Sequence, residues 1–195
     1  NCHMRKYLSS LLLLCATLTW QSCLHENTTV FEQSAIERIE TAAQQTQQVL
    51  ESSPNGWLLR YYAGQGYSGP AYSILMKFTN GHATVLSDYD PDKTTTAAYS
   101  IAKDQGVVLS FDSYNEALHQ FSRVWEGSGA RGIEGDYEFL VLSTSADTIR
   151  LRGKKWKNNM ELVRVPEKTE WKSYLTSIYN LQEQLTTQFF ALQLG

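Results

Sequence analysis

The sequence predicts a mostly β, α+β domain: an antiparallel meander of about eight strands, closed into a lipocalin-like barrel or strongly curved, with one helix before it and one after. Three observations carry this. Hydrophobic periodicity is near two for about a hundred residues after Gly56. Tight-turn chemistry punctuates it, plainest at Thr79-Asn80-Gly81-His82. Amphipathic helical patterns stand on either side. With 195 residues and 42% hydrophobic content the chain supports one modest core. A two-sheet β-sandwich is the alternative reading of the same strands.

The elements follow in order. Ser34 and Glu37 form a capping box, and Ile36, Ile39, Ala43, Thr46 and Leu50 share one helical face. Ser53-Pro54-Asn55-Gly56 ends that helix, Pro preventing continuation and Asn-Gly supplying a positive-φ turn. Strands are predicted near 57–62, 71–79, 82–88, 96–102, 106–111, 137–143, 147–152 and 159–165. Alternation is clearest in Tyr72, Ile74, Met76 and Phe78, and in Ile149 and Leu151 against Arg150 and Arg152. Between strands five and six, Tyr114, Leu118 and Phe121 suggest a short helix, followed by a glycine-rich loop. After Pro166, the residues Trp171, Leu175, Ile178, Leu181, Leu185 and Phe189 mark the apolar face of a closing helix. Two such helices must cover an open end or an outer face of the sheet.

The start of the chain reads as address rather than fold. From Met4, the pair Arg5-Lys6 precedes an apolar run to Leu18, shorter than the roughly 20 residues that span a bilayer. Residues 1–22 therefore read as a leader, and Ser22-Cys23 as a lipoprotein box with a diacylglycerol anchor on Cys23. Residues 23–31 form a polar tether and 32–190 the globular domain. Cleavage there removes Cys2 and Cys15, leaving no disulfide framework. It also removes Arg5 and Lys6, taking the formal charge from −3 to −5. Nucleic acid is excluded as a partner on charge and export. The lipid places the protein in the cell envelope, at the outer membrane.

The lipoprotein start, Ser52-Ser53-Pro54-Asn55-Gly56-Trp57, Tyr61-Tyr62 and the stretch Tyr72 to Phe78 resemble the Bacteroidetes lipoprotein family catalogued as domain of unknown function 4302. Later blocks agree: Leu109 to His119, Gly135 to Phe139, Asp147 to Lys155 and the Trp171 helix. The resemblance implies a cell-envelope lipoprotein, often encoded beside outer-membrane nutrient importers and companion lipoproteins, with no established activity and no catalytic residues to carry over. Family members typically run longer, which makes this chain a short or an incomplete member.

Motifs are weighed against their structural alternatives. Gly127-Ser-Gly-Ala-Arg-Gly132 satisfies G-x-G-x-x-G but lacks the strand before it and the helix after it that a dinucleotide site needs. It reads as a rim loop on which Trp125 and Arg131 are candidate ligand or partner contacts. Asp88, Asp90 and Asp92 alternate as in a calcium loop, yet Lys93 and Tyr99 stand where Gly and a bidentate Glu belong; no metal is expected, and an exposed turn is the main reading. No catalytic motif is found, and an enzyme reading would need Glu134, Asp136, His119 or Tyr137 to meet in one cleft. Arg150, Arg152, Lys154, Lys155 and Lys157 form a basic hairpin around Trp156, itself a candidate contact. Eleven Tyr and five Trp leave Tyr61 and Tyr72 as candidates for stacking on a ligand, although core packing explains most of the aromatics.

The expectation is a non-catalytic binding or accessory module that captures a small glycan or peptide nutrient, with an outer-membrane transporter and companion lipoproteins as partners and no cofactor. The alternative is a scaffolding lipoprotein that binds only protein partners. A ligand cavity lined by aromatics would favour the first, a packed interior the second.

Overall fold

The computed structural model describes residues 34–124, 129 and 131–194. The leader, the tether with Cys23, and Trp125 lie outside the described residues.

Helix α1 (Ala35–Glu51) carries Glu37 in its first turn, where the carboxylate suits the helix dipole. Its buried residues are Ala43, Thr46 and Leu50. Ile36 is 80% exposed, so the expected apolar face packs only from Ile39 onward. The helix stops as the sequence dictates. Ser53 Oγ donates to the Gly56 carbonyl at 2.6 Å, and Gly56 turns with φ 77°. A Cβ there would sit 2.3 Å from the Met76 carbonyl oxygen, so only glycine lets the chain pass into the sheet.

Eight strands follow: β1 (Trp57–Tyr62), β2 (Ala71–Thr79), β3 (His82–Ser87), β4 (Asp90–Lys103), β5 (Val107–Phe111), β6 (Glu138–Thr144), β7 (Thr148–Gly153) and β8 (Asn159–Arg164). Each pairs antiparallel with the next, and β1 closes on β8, giving a barrel rather than a sandwich. The β2–β3 hairpin turns through Asn80 at φ 49° and Gly81 at φ 76°, the left-handed pair that matches strand twist. One boundary differs from expectation. β4 begins at Asp90, not near residue 96, because the register jumps from Val85↔Thr95 to Ser87↔Asp90. The bulge interrupts the alternation, and Pro91 among carboxylates looks like a turn in one dimension.

Inward side chains fill the barrel. Leu59, Ile74, Met76, Val85, Leu109, Phe139, Ile149, Leu151 and Leu162 are all buried in one cluster, each contributing roughly 1.5–3 kcal/mol relative to exposure. Both ends are covered. α1 closes the first: Trp57 Nε1 donates to the Leu50 carbonyl at 2.8 Å, Thr46 and Thr144 hydroxyls meet at 3.0 Å, and Tyr99 donates to Glu51 at 2.7 Å. The second end, here called the mouth, is covered by α2 (Glu116–His119) and a 3-10 turn at Gln120–Ser122, whose Leu118 and Phe121 join the core.

Helix α3 (Trp171–Leu194) takes the outer wall. Trp171, Leu175 and Ile178 pack on Leu58, Leu75, Leu86 and Val165. The next part of its expected face is open, since Leu181 and Leu185 are both more than half exposed. The outer wall offers the helix an apolar patch about two turns long.

Candidate functional site

The barrel mouth gathers the aromatic side chains. Tyr61 belongs to the last interior layer, and its hydroxyl donates to the Asp136 carbonyl at 2.9 Å. Burial pushes the Tyr61 phenol well above its ordinary pKa. It is a structural residue, not a contact open to ligand. Gly135 makes its position possible, because a Cβ there would lie 2.4 Å from the Tyr61 hydroxyl.

Tyr72 starts the same face of β2 one layer further out. Its ring stacks on Phe121 at 4.1 Å and 20°. Tyr89, just beyond β3, meets Tyr72 edge-on at 6.2 Å and 77° and Phe121 at 6.1 Å and 90°, and is 58% exposed. Around these three rings lies a solvent-reachable cleft of about 380 Å³, completed by Gln120, Arg123 and Ile133. Aromatic faces with one amide and one guanidinium suit a ligand that has a flat apolar side and a polar edge.

Arg123 also borders a neighbouring cleft with Tyr114, His119 and Tyr137. His119 stacks on Tyr137 at 4.6 Å and 27°, with Tyr114 at 5.5 Å. Burial lowers the His119 pKa, and its Nδ1 accepts from the Asn115 amide at 3.0 Å. The imidazole is therefore neutral, with that nitrogen already used. Of the four residues an acid–base site would need, His119 and Tyr137 stack in this cleft, and Asp136 lines a separate one beside Tyr137. Asp136 turns to the β7–β8 hairpin, accepting from the Lys155 amide at 2.7 Å and the Trp156 amide at 3.1 Å. Glu134 pairs with Arg131 at 2.6 Å and accepts from the Gln65 amide at 2.7 Å.

Arg131 and Trp156 do come together, with the guanidinium 4.6 Å above the indole and Lys155 at 4.8 Å. Their contact ties the glycine-rich loop to the basic hairpin instead of entering the mouth cleft. The three aspartates part company. Asp88 Oδ2 accepts from the Ser73 amide at 2.9 Å, Asp90 accepts from the Asp92 amide at 3.3 Å, and Asp92 pairs with Lys172 at 2.6 Å. Among the described residues no group of three His, Cys, Asp or Glu is placed to hold a metal ion.

Sequence reasoning placed Tyr72 but missed Tyr89, Gln120, Phe121 and Arg123 as site residues. A signal was available for Tyr89, an aromatic just beyond the last residue of a strand. None existed for Phe121, whose insertion into the mouth depends on where the loop returns.

A family model described as Domain of unknown function (DUF4302) matches residues 27–193. No curated protein matches, and no solved structure matches.

Proposed function

We propose, on the premise that the chain belongs to the family described as Domain of unknown function (DUF4302), that it is a non-catalytic envelope lipoprotein which captures small glycans at the barrel mouth. The observation that carries this reading is the cleft of Tyr72, Tyr89 and Phe121, with Gln120 and Arg123 at its edge. The packed interior by itself speaks for scaffolding; the glycan reading rests on the mouth, where aromatic surface and solvent meet. A sugar ring offers its C–H face to Tyr89 and its hydroxyls to the amide and guanidinium; a peptide side chain uses the same platform less completely. Delivery to an outer-membrane transporter, with companion lipoproteins, fits tethering by a diacylglycerol on Cys23. Among the described residues no helix is long and apolar enough to cross a membrane.

The test is a thermal-shift screen of residues 24–195 against neutral oligosaccharides and peptides. A binding glycan raises the midpoint according to RT ln(1 + [L]/Kd), and Tyr89→Ala is expected to weaken it about tenfold, roughly 1.4 kcal/mol. Equal response in parent and variant would remove the mouth from consideration. Mass spectrometry of the membrane fraction checks the acyl group on Cys23.

A second reading, scaffolding through protein partners, is favoured by the packed interior and by the exposed Leu181 and Leu185 at four-residue spacing on α3.

A further inference from the structure

We propose that the outer wall of the barrel carries a second site, distinct from the mouth, that binds a carboxylate-bearing sugar. Register places three charges side by side across β1, β8 and β7, since Arg60 pairs with Glu161 and Glu161 with Arg150. Arg60 reaches Glu161 Oε2 at 3.7 Å and Arg150 reaches Oε1 at 3.7 Å, both beyond hydrogen-bond distance. Among the described residues neither guanidinium has another partner. The trio holds one surplus positive charge and two forks of unused donors. Over it opens a groove of about 550 Å³ bounded by Tyr62, Tyr67, Leu142 and Asn159.

Two of those walls depart from regular strand geometry, one of them with backbone strain. Tyr67 has φ 62°, a left-handed conformation that a bulky residue adopts only under compulsion. The compulsion is Asn158. Its Oδ1 accepts from the Gly66 and Tyr67 amides, and its Nδ2 donates to the Tyr62 and Gly64 carbonyls. Tyr67 is thereby set edge-on to Tyr62 at 5.5 Å, with its hydroxyl accepting from the Asn159 amide at 3.0 Å. Leu142 sits where the β6–β7 register jumps from Val141↔Leu151 to Ser143↔Arg150, and it is 54% exposed. Neither residue serves the core. A strained exposed tyrosine, a bulged exposed leucine and an underpaired arginine couple meeting in one groove are explained by a ligand better than by stability.

The charges select its class. A bare anion drawn to Arg60 and Arg150 also meets Glu161, which repels it. A ligand with both a carboxylate and hydroxyl donors satisfies all three groups, and a ring with a C–H face covers Tyr62. A uronic acid has these features together. A zwitterionic amino acid would send its ammonium to Glu161 but has no polyhydroxylated ring for the tyrosine wall.

The experiment is a titration of the leaderless protein with glucuronate at low salt, followed by amide chemical shifts, with glucose and leucine as controls. Glucuronate is expected to move the β7 and β8 amides saturably, and glucose and leucine are not. The Arg60→Gln/Arg150→Gln double variant should weaken glucuronate at least tenfold while keeping the parent's thermal midpoint, and Tyr89→Ala should leave its affinity unchanged. Glucose or leucine binding as tightly, no response to glucuronate, full affinity in the double variant, or loss of affinity in Tyr89→Ala would each overturn the assignment. The last result would move the acid to the mouth; a silent mouth with a responsive groove would instead remove only the first site.

Discussion

Phe121 and Tyr72 lie ring on ring, 4.1 Å apart and 20° from parallel, so a residue from the longest loop completes a strand's inward row. The same contact closes the barrel and floors the cleft. Phe121→Ala is expected to cost about 3–5 kcal/mol and lower the thermal midpoint by about 10 °C. Tyr72→Phe, which keeps the stack, should cost less than about 1.5 kcal/mol. Melts followed by circular dichroism distinguish the two.

Asp88 supplies a pH dependence. Burial raises its carboxyl above the ordinary 3.8, the Ser73 amide bond pulling the other way. A raised folded-state pKa means that its contribution is fully present below about pH 3.8 and is lost as pH climbs through the raised value. At neutral pH the charged form is therefore a net cost. Asp88→Asn is expected to stabilise the fold on the order of 1 kcal/mol near neutrality, with the difference vanishing in acid. Urea denaturation at both ends of the range measures it.

At Gly135 a Cβ would lie 2.4 Å from the Tyr61 hydroxyl and 2.6 Å from Phe121 Cβ. Gly135→Ala is expected to cost about 1–3 kcal/mol by overpacking. Gly106→Ala, where a Cβ meets nothing within 4 Å, should be neutral or slightly stabilising. Chemical denaturation of the pair checks the contrast.

The two halves of α3 should respond differently. Leu175→Ala, in the buried cluster with Leu75 and Leu86, is expected to cost about 2–5 kcal/mol. Replacing Leu181 and Leu185 together by Gln should change stability by no more than about 0.5 kcal/mol per site. Thermal melts read both variants.

Much of the fold is legible in the sequence because it is local. Ile149 and Leu151 against Arg150 and Arg152 declare the two faces of a strand, and Asn80-Gly81 declares a hairpin. A closed barrel is legible as one outcome of eight short strands, but its seam is not: period two says which way a side chain points, not that Trp57 pairs with Arg164. The extent of β4 is hidden by a bulge that mimics a turn. On α3 the apolar stripe is plain, but nothing in one dimension says that the apolar patch beneath it ends after Ile178. Of the rings around the candidate cleft, Tyr72 alone is singled out from the sequence. Tyr61 looks equally aromatic and equally placed by alternation, and only its bond to Asp136 reveals that it is sealed inside.

The seam between β1 and β8 has a kinetic consequence. The first strand finds its last neighbour only after every intervening hairpin exists, so the costliest loop closure waits until late in folding. Until then β1 and β8 each present an open edge able to recruit other chains; without β8 the open edges are β1 and β7. A chain interrupted before Asn159 keeps that vulnerability permanently, and refolding at high concentration should divert into aggregates that dilution suppresses.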